Sequence, residues 1–277
     1  LEGKEAQIRK IRSCLDEWKE GKPSKPALLL IGPPGVGKTS IARAIATDMG
    51  WQVIELNASD ARNAGAIRRA ATNASTHRSI FMSPTDKPQR TLILLDEVDH
   101  LSGGLRAISD DRISSIVSND ERSQANALKG DSGGKAELLN LLENTKQPVM
   151  LACNDEMGLW GRSSSSWRST RDRFSKYLVS IRFDRVSNEA LRRIALRVIK
   201  QEGYTADPNA IDELVNNNPG DLRALVRDLQ VMCNLTESNL TREMVRENIE
   251  TGVRDTTVEI FPGLDLLYRS HTCLLYT

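Results

Sequence analysis

Short apolar runs alternate with segments of helical periodicity through the first two thirds of the chain. The runs have the length and composition of buried strands, and their alternation with helices predicts a doubly wound parallel α/β sheet of five strands. The predicted strands cover Ala27–Ile31, Gln52–Leu56, Thr91–Leu95, Pro148–Ala152 and Leu178–Phe183. The predicted helices cover residues near 4–20, 61–74 and 135–144 and the segment from Ile41 to Met49.

Helical periodicity continues after Phe183, whereas strand patterns stop there. Amphipathic segments predict helices over residues 187–202, 207–217, 220–234 and 241–250. We therefore expect an α/β domain over residues 1–184, followed by a small all-helical lid domain over residues 185–254. Polar stretches predict loops over 75–90 and 163–170 and a longer insertion over about 102–134.

Composition narrows the function classes. The formal net charge is +1, so a nucleic-acid surface would be a local patch or would be completed by other subunits. No apolar stretch is long enough to predict a membrane span. The cysteines are scattered without a CxxC pair, which favours a reduced intracellular compartment over a zinc site.

Both ends of the chain look incomplete. The sequence opens on Leu1, already inside a helical pattern, and residues 270–277 match neither the preceding charged helices nor a helix cap. We interpret residues 270–277 as a non-native tail and leave them out of the fold prediction.

The segment Gly32–Thr39 fits the phosphate-binding template G-x-x-x-x-G-K-[ST] and lies between a predicted strand and a predicted helix. In that setting, backbone N–H groups and the helix dipole form a cradle for an anion. Lys38 can reach the β- and γ-phosphates of ATP, and the Thr39 hydroxyl can bind Mg²⁺. The candidate nucleotide-binding residues are Gly32, Pro33, Pro34, Gly35, Val36, Gly37, Lys38, Thr39 and Ser40.

Two acidic residues follow the third predicted strand directly. Because ligands bind at the carboxyl ends of parallel strands, Asp96 and Glu97 are expected beside the phosphate loop. Asp96 suits the binding of Mg²⁺, and Glu97 suits the activation of the attacking water. Together with the phosphate loop, this pair favours ATP hydrolysis over simple binding. Asp99 fits a capping or turn role and a functional role equally well.

Asn154 and Arg223 are further candidates. Asn154 follows the fourth predicted strand and could contact the γ-phosphate or the attacking water, although such an asparagine is often a turn residue. Arg223 lies near the start of a helix in the second domain. It is either an exposed helix residue or a side chain that reaches back to the nucleotide.

The phosphate loop, the acidic pair, Asn154 and Arg223, in this order, resemble the motifs of the AAA+ superfamily. Within it the chain is most similar to clamp loaders of the replication factor C large-subunit type found in archaea. The residues that carry the resemblance are Gly32–Thr39, Glu55–Asp60, Asp96–Asp99, Leu151–Asp155 and Gly220–Ala224. It implies that Asn154 and Arg223 are the two sensor residues of an ATP hydrolase, and that the adenine lies near Gly3 and Lys4.

The resemblance also implies partners and a setting. We expect replication factor C small subunits, a ring-shaped PCNA-type sliding clamp and primer–template DNA, in an archaeal cytoplasm or, for a eukaryotic protein, the nucleus. Residues 255–269 would begin a collar domain that is missing here. For DNA phosphates, Arg62, Arg68 and Arg69 are candidates, with a solvated helix face as the alternative.

One departure from the pattern concerns the arginine finger. Small clamp-loader subunits carry Ser-Arg-Cys before the fifth strand, whereas this chain has Ser175-Lys176-Tyr177. Lysine lacks the planar fork of arginine. The expectation is a subunit that receives a finger from a neighbour and donates none.

Two alternatives stay open. The run Asp96–Asp99 could belong to a helicase or branch-migration motor, although no second motor domain is recognisable. The chain could also be a nucleotide-binding subunit with little hydrolysis, although Lys38, Asp96 and Glu97 are all present.

Overall fold

A computed structural model of the chain describes residues 3–58, 67–68, 90–101, 133–161, 167–236 and 239–251. The predictions for the helix over 61–74, the loop over 75–90, the insertion over 102–134, the collar segment and the tail lie wholly or mostly outside these residues.

A parallel five-stranded sheet in the order β2-β3-β4-β1-β5 forms the centre of the fold. The strands are β1 (Ala27–Ile31), β2 (Gln52–Asn57), β3 (Thr91–Asp96), β4 (Val149–Cys153) and β5 (Leu178–Arg182). The predicted doubly wound sheet is confirmed. The order places β4 between β1 and β3, so the carboxyl ends of these three strands meet at one edge of the sheet.

Helices cover both faces of the sheet. They are α1 (Glu5–Asp16), α2 (Lys38–Asp48), α3 (Gly134–Asn144), α4 (Glu156–Trp160) and α5 (Trp167–Ser175), and 3-10 turns span Glu17–Lys19 and Val98–His100. Side chains of β1 alternate between two cores: Leu28 and Leu30 pack on one face, Leu29 and Ile31 on the other. This double burial explains the unbroken apolar character of the strand.

The chain after Phe183 forms a third core of its own, from Val186 to Ile249. Its helices are α6 (Asn188–Gln201), α7 (Pro208–Asn217), α8 (Leu222–Leu235) and α9 (Arg242–Thr251). The expectation that strands end at Phe183 is wrong, because β6 (Thr205–Ala206) and β7 (Asn239–Leu240) form a short parallel pair. Two residues are too few to produce a period-2 pattern. The domain boundary near residue 184 stays a prediction.

The prediction of a loop over 163–170 is wrong from Trp167 onward, where α5 begins. Thr170 and Phe174, one helical turn apart, are buried and anchor this helix. The serines that precede it obscured the apolar spacing. None of the helices in the described part of the chain combines the length and hydropathy that a membrane span requires.

Candidate functional site

The glycine-rich segment connects β1 to α2 at the edge of the sheet. Gly35 and Gly37 have φ values of 78° and 90°, a left-handed conformation that side chains rarely adopt. Gly37 caps α2 without a side-chain hydrogen bond, so the first N–H groups of the helix face the loop. Free N–H groups at a helix N-terminus form a site for an anion.

Lys38 is buried, and its ammonium lies within the loop. The Nζ atom donates hydrogen bonds to the carbonyl oxygens of Gly32 at 2.7 Å and Pro33 at 2.9 Å, and to Oδ1 of Asn154 at 3.0 Å. Burial lowers the pKa of Lys38, and the negative charge of Asp96 opposes this shift. A cation is therefore held in place by oxygen atoms that phosphate oxygens could replace.

Asp96 connects the end of β3 to the start of α2. Its Oδ2 atom accepts a hydrogen bond from the Thr39 hydroxyl at 2.6 Å, and its Oδ1 atom accepts one from the Glu97 N–H at 2.9 Å. A hydroxyl and a carboxylate that already touch offer the hard oxygen ligands that Mg²⁺ prefers. The residues present therefore fit a magnesium ion.

Glu97 has a φ of 55° and is the one non-glycine residue with positive φ among the residues that the structure describes. This conformation costs about 1–2 kcal/mol for a residue with a side chain. Such strain is typical of functional sites, where the surrounding structure holds a side chain in a required position. Here that position is the wall of the pocket.

One pocket collects most of the predicted site residues. It is lined by Pro34, Gly35, Gly37, Lys38, Thr39, Ser40, Asp96, Glu97, Asn154 and Arg223. Three candidates lie outside this lining. Gly32 and Pro33 contribute carbonyl oxygens to Lys38 instead, and the Val36 side chain is buried in the core. Val36 could contact a nucleotide only through its backbone.

The first turn of α8 packs directly on the phosphate loop. The Arg223 N–H donates to the Gly35 carbonyl at 3.3 Å, and the Asp221 side chain caps α8 by accepting from the Ala224 N–H at 2.9 Å. A Cβ atom added to Gly35 would lie 2.0 Å from Oδ1 of Asp221. The role of Asp221 was not foreseen in the sequence, because a contact between distant segments leaves no local pattern.

The close approach of Asp221 to Gly35 predicts the effect of Gly35→Ala on stability. The variant is expected to lower the free energy of unfolding by about 2–3 kcal/mol, because left-handed strain adds to the loss of the Asp221 cap. Gly203→Ala is the matched control, since Gly203 has a φ of 81° and nothing within 4 Å of an added Cβ. It should cost about 1 kcal/mol, which is the strain alone.

Urea unfolding of both variants, repeated in an Asp221→Ala background, separates the two contributions. In that background Gly35→Ala should cost no more than Gly203→Ala. Equal costs for the two glycine variants in the parent chain would show that Asp221 does not press on the loop.

Other sequence candidates are placed as follows. Lys4 is buried, and its Nζ donates to the Asp184 carbonyl at 2.6 Å. Arg68 binds the buried carboxylate of Glu137 through hydrogen bonds of 3.0 and 3.2 Å, so its guanidinium is already engaged. Ser59, Asp60, Arg62 and Arg69 lie outside the described residues.

Comparisons with known proteins were made for the whole chain. A family model described as "ATPase family associated with various cellular activities (AAA)" matches residues 28–177. The replication factor C large subunit of Methanosarcina mazei is 30% identical over 98% of this chain and 37% of its own length. That of Methanococcoides burtonii is 32% identical over 97% of this chain and 45% of its own length. The chain thus spans less than half of these relatives.

Solved structures give the same fold at lower identity. A mutant of Thermotoga maritima RuvB has a TM-score of 0.60 and 17% identity over 94% of this chain and 73% of its own. Another RuvB structure, described as a Holliday junction branch migration motor, has a TM-score of 0.58 and 19% identity over 94% of this chain and 73% of its own. At this identity the likeness carries the fold alone.

Proposed function

The chain belongs to the ATPase family associated with various cellular activities (AAA), and we propose that it is the ATP-hydrolysing core of a sliding-clamp loader large subunit. The observation that carries the proposal is one pocket lined by Lys38, Thr39, Asp96, Glu97, Asn154 and Arg223. The clamp-loader part is supported by the replication factor C large subunits that align with nearly the whole chain.

ATP binding would use the loop and the helix that follows it. The N–H groups at the start of α2 would hold phosphate oxygens. Lys38 would exchange the carbonyl oxygens of Gly32 and Pro33 for the β- and γ-phosphate oxygens. The buried ammonium gains a negatively charged partner, so the exchange favours the bound state.

Hydrolysis would use the two acidic residues at the end of β3. Thr39 and Asp96 would hold Mg²⁺, which supplies positive charge to the phosphate oxygens when bound. Glu97 would take a proton from the water that attacks the γ-phosphorus, while the bond to the bridging oxygen breaks and ADP leaves with the electron pair. Asn154 would orient the γ-phosphate or this water.

Arg223 would make hydrolysis sensitive to the position of the helical segment that follows Phe183. Its backbone N–H already donates to the Gly35 carbonyl, and the residue is part of the pocket lining. Lys176 is exposed in the turn before β5, at the place where small clamp-loader subunits carry an arginine finger. We therefore propose that this subunit receives a finger from a neighbour and donates none.

The proposed partners are replication factor C small subunits, a PCNA-type clamp and primer–template DNA, in an archaeal cytoplasm. ATP binding would tighten the assembly around DNA and hold the clamp open, and hydrolysis would release the loader. Contacts to DNA phosphates would make binding independent of sequence and sensitive to salt.

The test is ATP turnover of the chain mixed with small subunits from the same genome, with and without clamp and primed DNA. Turnover that rises when clamp and primed DNA are added together supports the proposal. Turnover indifferent to both additions, or unwinding of a forked duplex, would contradict it. Unwinding would favour the branch-migration alternative.

A further inference from the structure

Asp99 connects the ends of two neighbouring strands. It lies in the 3-10 turn Val98–His100 that follows β3, and its Oδ2 atom accepts hydrogen bonds from the N–H groups of Asn154 at 3.2 Å and Asp155 at 3.3 Å. These two residues form the turn that follows β4. One carboxylate oxygen therefore holds the backbone from which the Asn154 side chain projects.

Helix α4, which follows this turn, packs closely against Asp99. A Cβ atom added to Gly158 of α4 would lie 2.9 Å from both the Cβ and the carbonyl oxygen of Asp99. Asp155 caps the same helix by accepting from the Met157 N–H at 2.9 Å. The turn is thus fixed by the Asp99 carboxylate on one side and by close packing of α4 on the other.

Burial of the other carboxylate oxygen of Asp99 is energetically unfavourable. Its Oδ1 atom is buried and has no hydrogen-bond partner among the residues that the structure describes. A buried polar atom without a partner is unfavourable, and such atoms in folded proteins call for an explanation. A residue placed only to end a strand would not need to bury this oxygen. The carboxylate is explained in this buried position by the hydrogen bonds that its Oδ2 atom accepts from the N–H groups of Asn154 and Asp155.

The consequence concerns the position of the Asn154 amide, which lies 3.0 Å from the Lys38 ammonium. We propose that Asp99 is a positioning residue that aims the Asn154 side chain at the terminal phosphate of bound ATP. This inference rests on the proposed function. Asp99 would act by fixing the position of the Asn154 side chain, because a displacement of about 1 Å at a reacting group can cost about a hundredfold in rate.

The test uses nucleotide binding by the chain alone. Isothermal titration with Mg²⁺ gives the preference for ATPγS over ADP in the parent, Asp99→Ala, Asn154→Ala and the double variant. Loss of the Asn154 amide should reduce this preference about tenfold. Asp99→Ala should reduce it by a comparable factor, and the double variant should match Asn154→Ala. Effects that multiply would overturn the inference, since a merely structural residue acts independently.

Two further variants keep the result interpretable. Asp99→Asn retains an oxygen acceptor, so its preference should lie between those of the parent and Asp99→Ala; a value at or below Asp99→Ala would contradict the inference. Gly203→Ala strains the turn after α6, outside the pocket lining, and should destabilise the fold without changing the preference. A parent chain that binds neither nucleotide would refute the proposed function itself. A parent with a preference that survives Asp99→Ala would refute only the role of Asp99.

Discussion

Replacement of Lys38 by alanine is expected to weaken ATP binding by about ten- to a hundredfold. A hydrogen bond to a charged group contributes about 1.5–3 kcal/mol, and the Lys38 ammonium is the buried cation nearest to the expected phosphates. The loop carbonyls that now accept from Lys38 cannot take over this role, because they would repel phosphate oxygens. Titration calorimetry with ATPγS and Mg²⁺ measures the change directly.

Lys135→Ala is the matched control for this experiment. Lys135 is also buried, its Nζ donates to the Gly158 carbonyl at 3.2 Å, and burial lowers its pKa as it lowers that of Lys38. It does not line the pocket. The control should therefore keep the parent affinity within about twofold, which is below 0.5 kcal/mol. Equal ATP affinity for Lys38→Ala and the parent would contradict the phosphate cradle.

Replacement of Glu97 by glutamine is expected to lower ATP turnover by about a hundred- to ten-thousandfold, the usual contribution of a general base. Glutamine keeps the shape of the side chain but cannot accept the proton of the attacking water. ATP affinity should stay close to that of the parent, because Lys38 and the α2 N-terminus are unchanged. The variant should therefore bind ATP and hold it.

The assay has to isolate the turnover of this subunit. Small subunits that carry a glutamine at their own catalytic glutamate would bind ATP and assemble without hydrolysing it, so the remaining turnover would come from this chain. Glu55→Gln is the control, since Glu55 is an exposed carboxylate paired with Arg43 outside the pocket. It should keep the parent rate. An unchanged rate for Glu97→Gln would show that another group activates the water.

The sheet could be predicted because its strands are buried on both faces. Each strand is a local apolar run, and each predicted run matches the structure to within one residue at either end. The predicted AAA+ resemblance is confirmed by the family match and by the replication factor C relatives. The motif residues converge because the ends of parallel strands meet at one edge, which follows from topology.

The remaining features depend on contacts between segments that are distant in sequence. Asp221 meets Gly35, and Asp99 meets the turn after β4, only after the chain has folded. A lone aspartate in either place is equally typical of a cap. The short strands β6 and β7 pair residues that are 34 positions apart, and the Thr205 hydroxyl donates to Oδ1 of Asn239 at 2.9 Å. No local sequence pattern predicts such features.

In the proposed function, a triphosphate binds between the phosphate loop and the acidic end of β3. A crystal structure of the chain with ATPγS and Mg²⁺ tests this most directly. We predict γ-phosphate oxygens within hydrogen-bond distance of Lys38 Nζ and a metal ion between Thr39 and Asp96. Density for the nucleotide elsewhere, with the hydrogen bonds of Lys38 to Gly32 and Pro33 intact, would contradict the account.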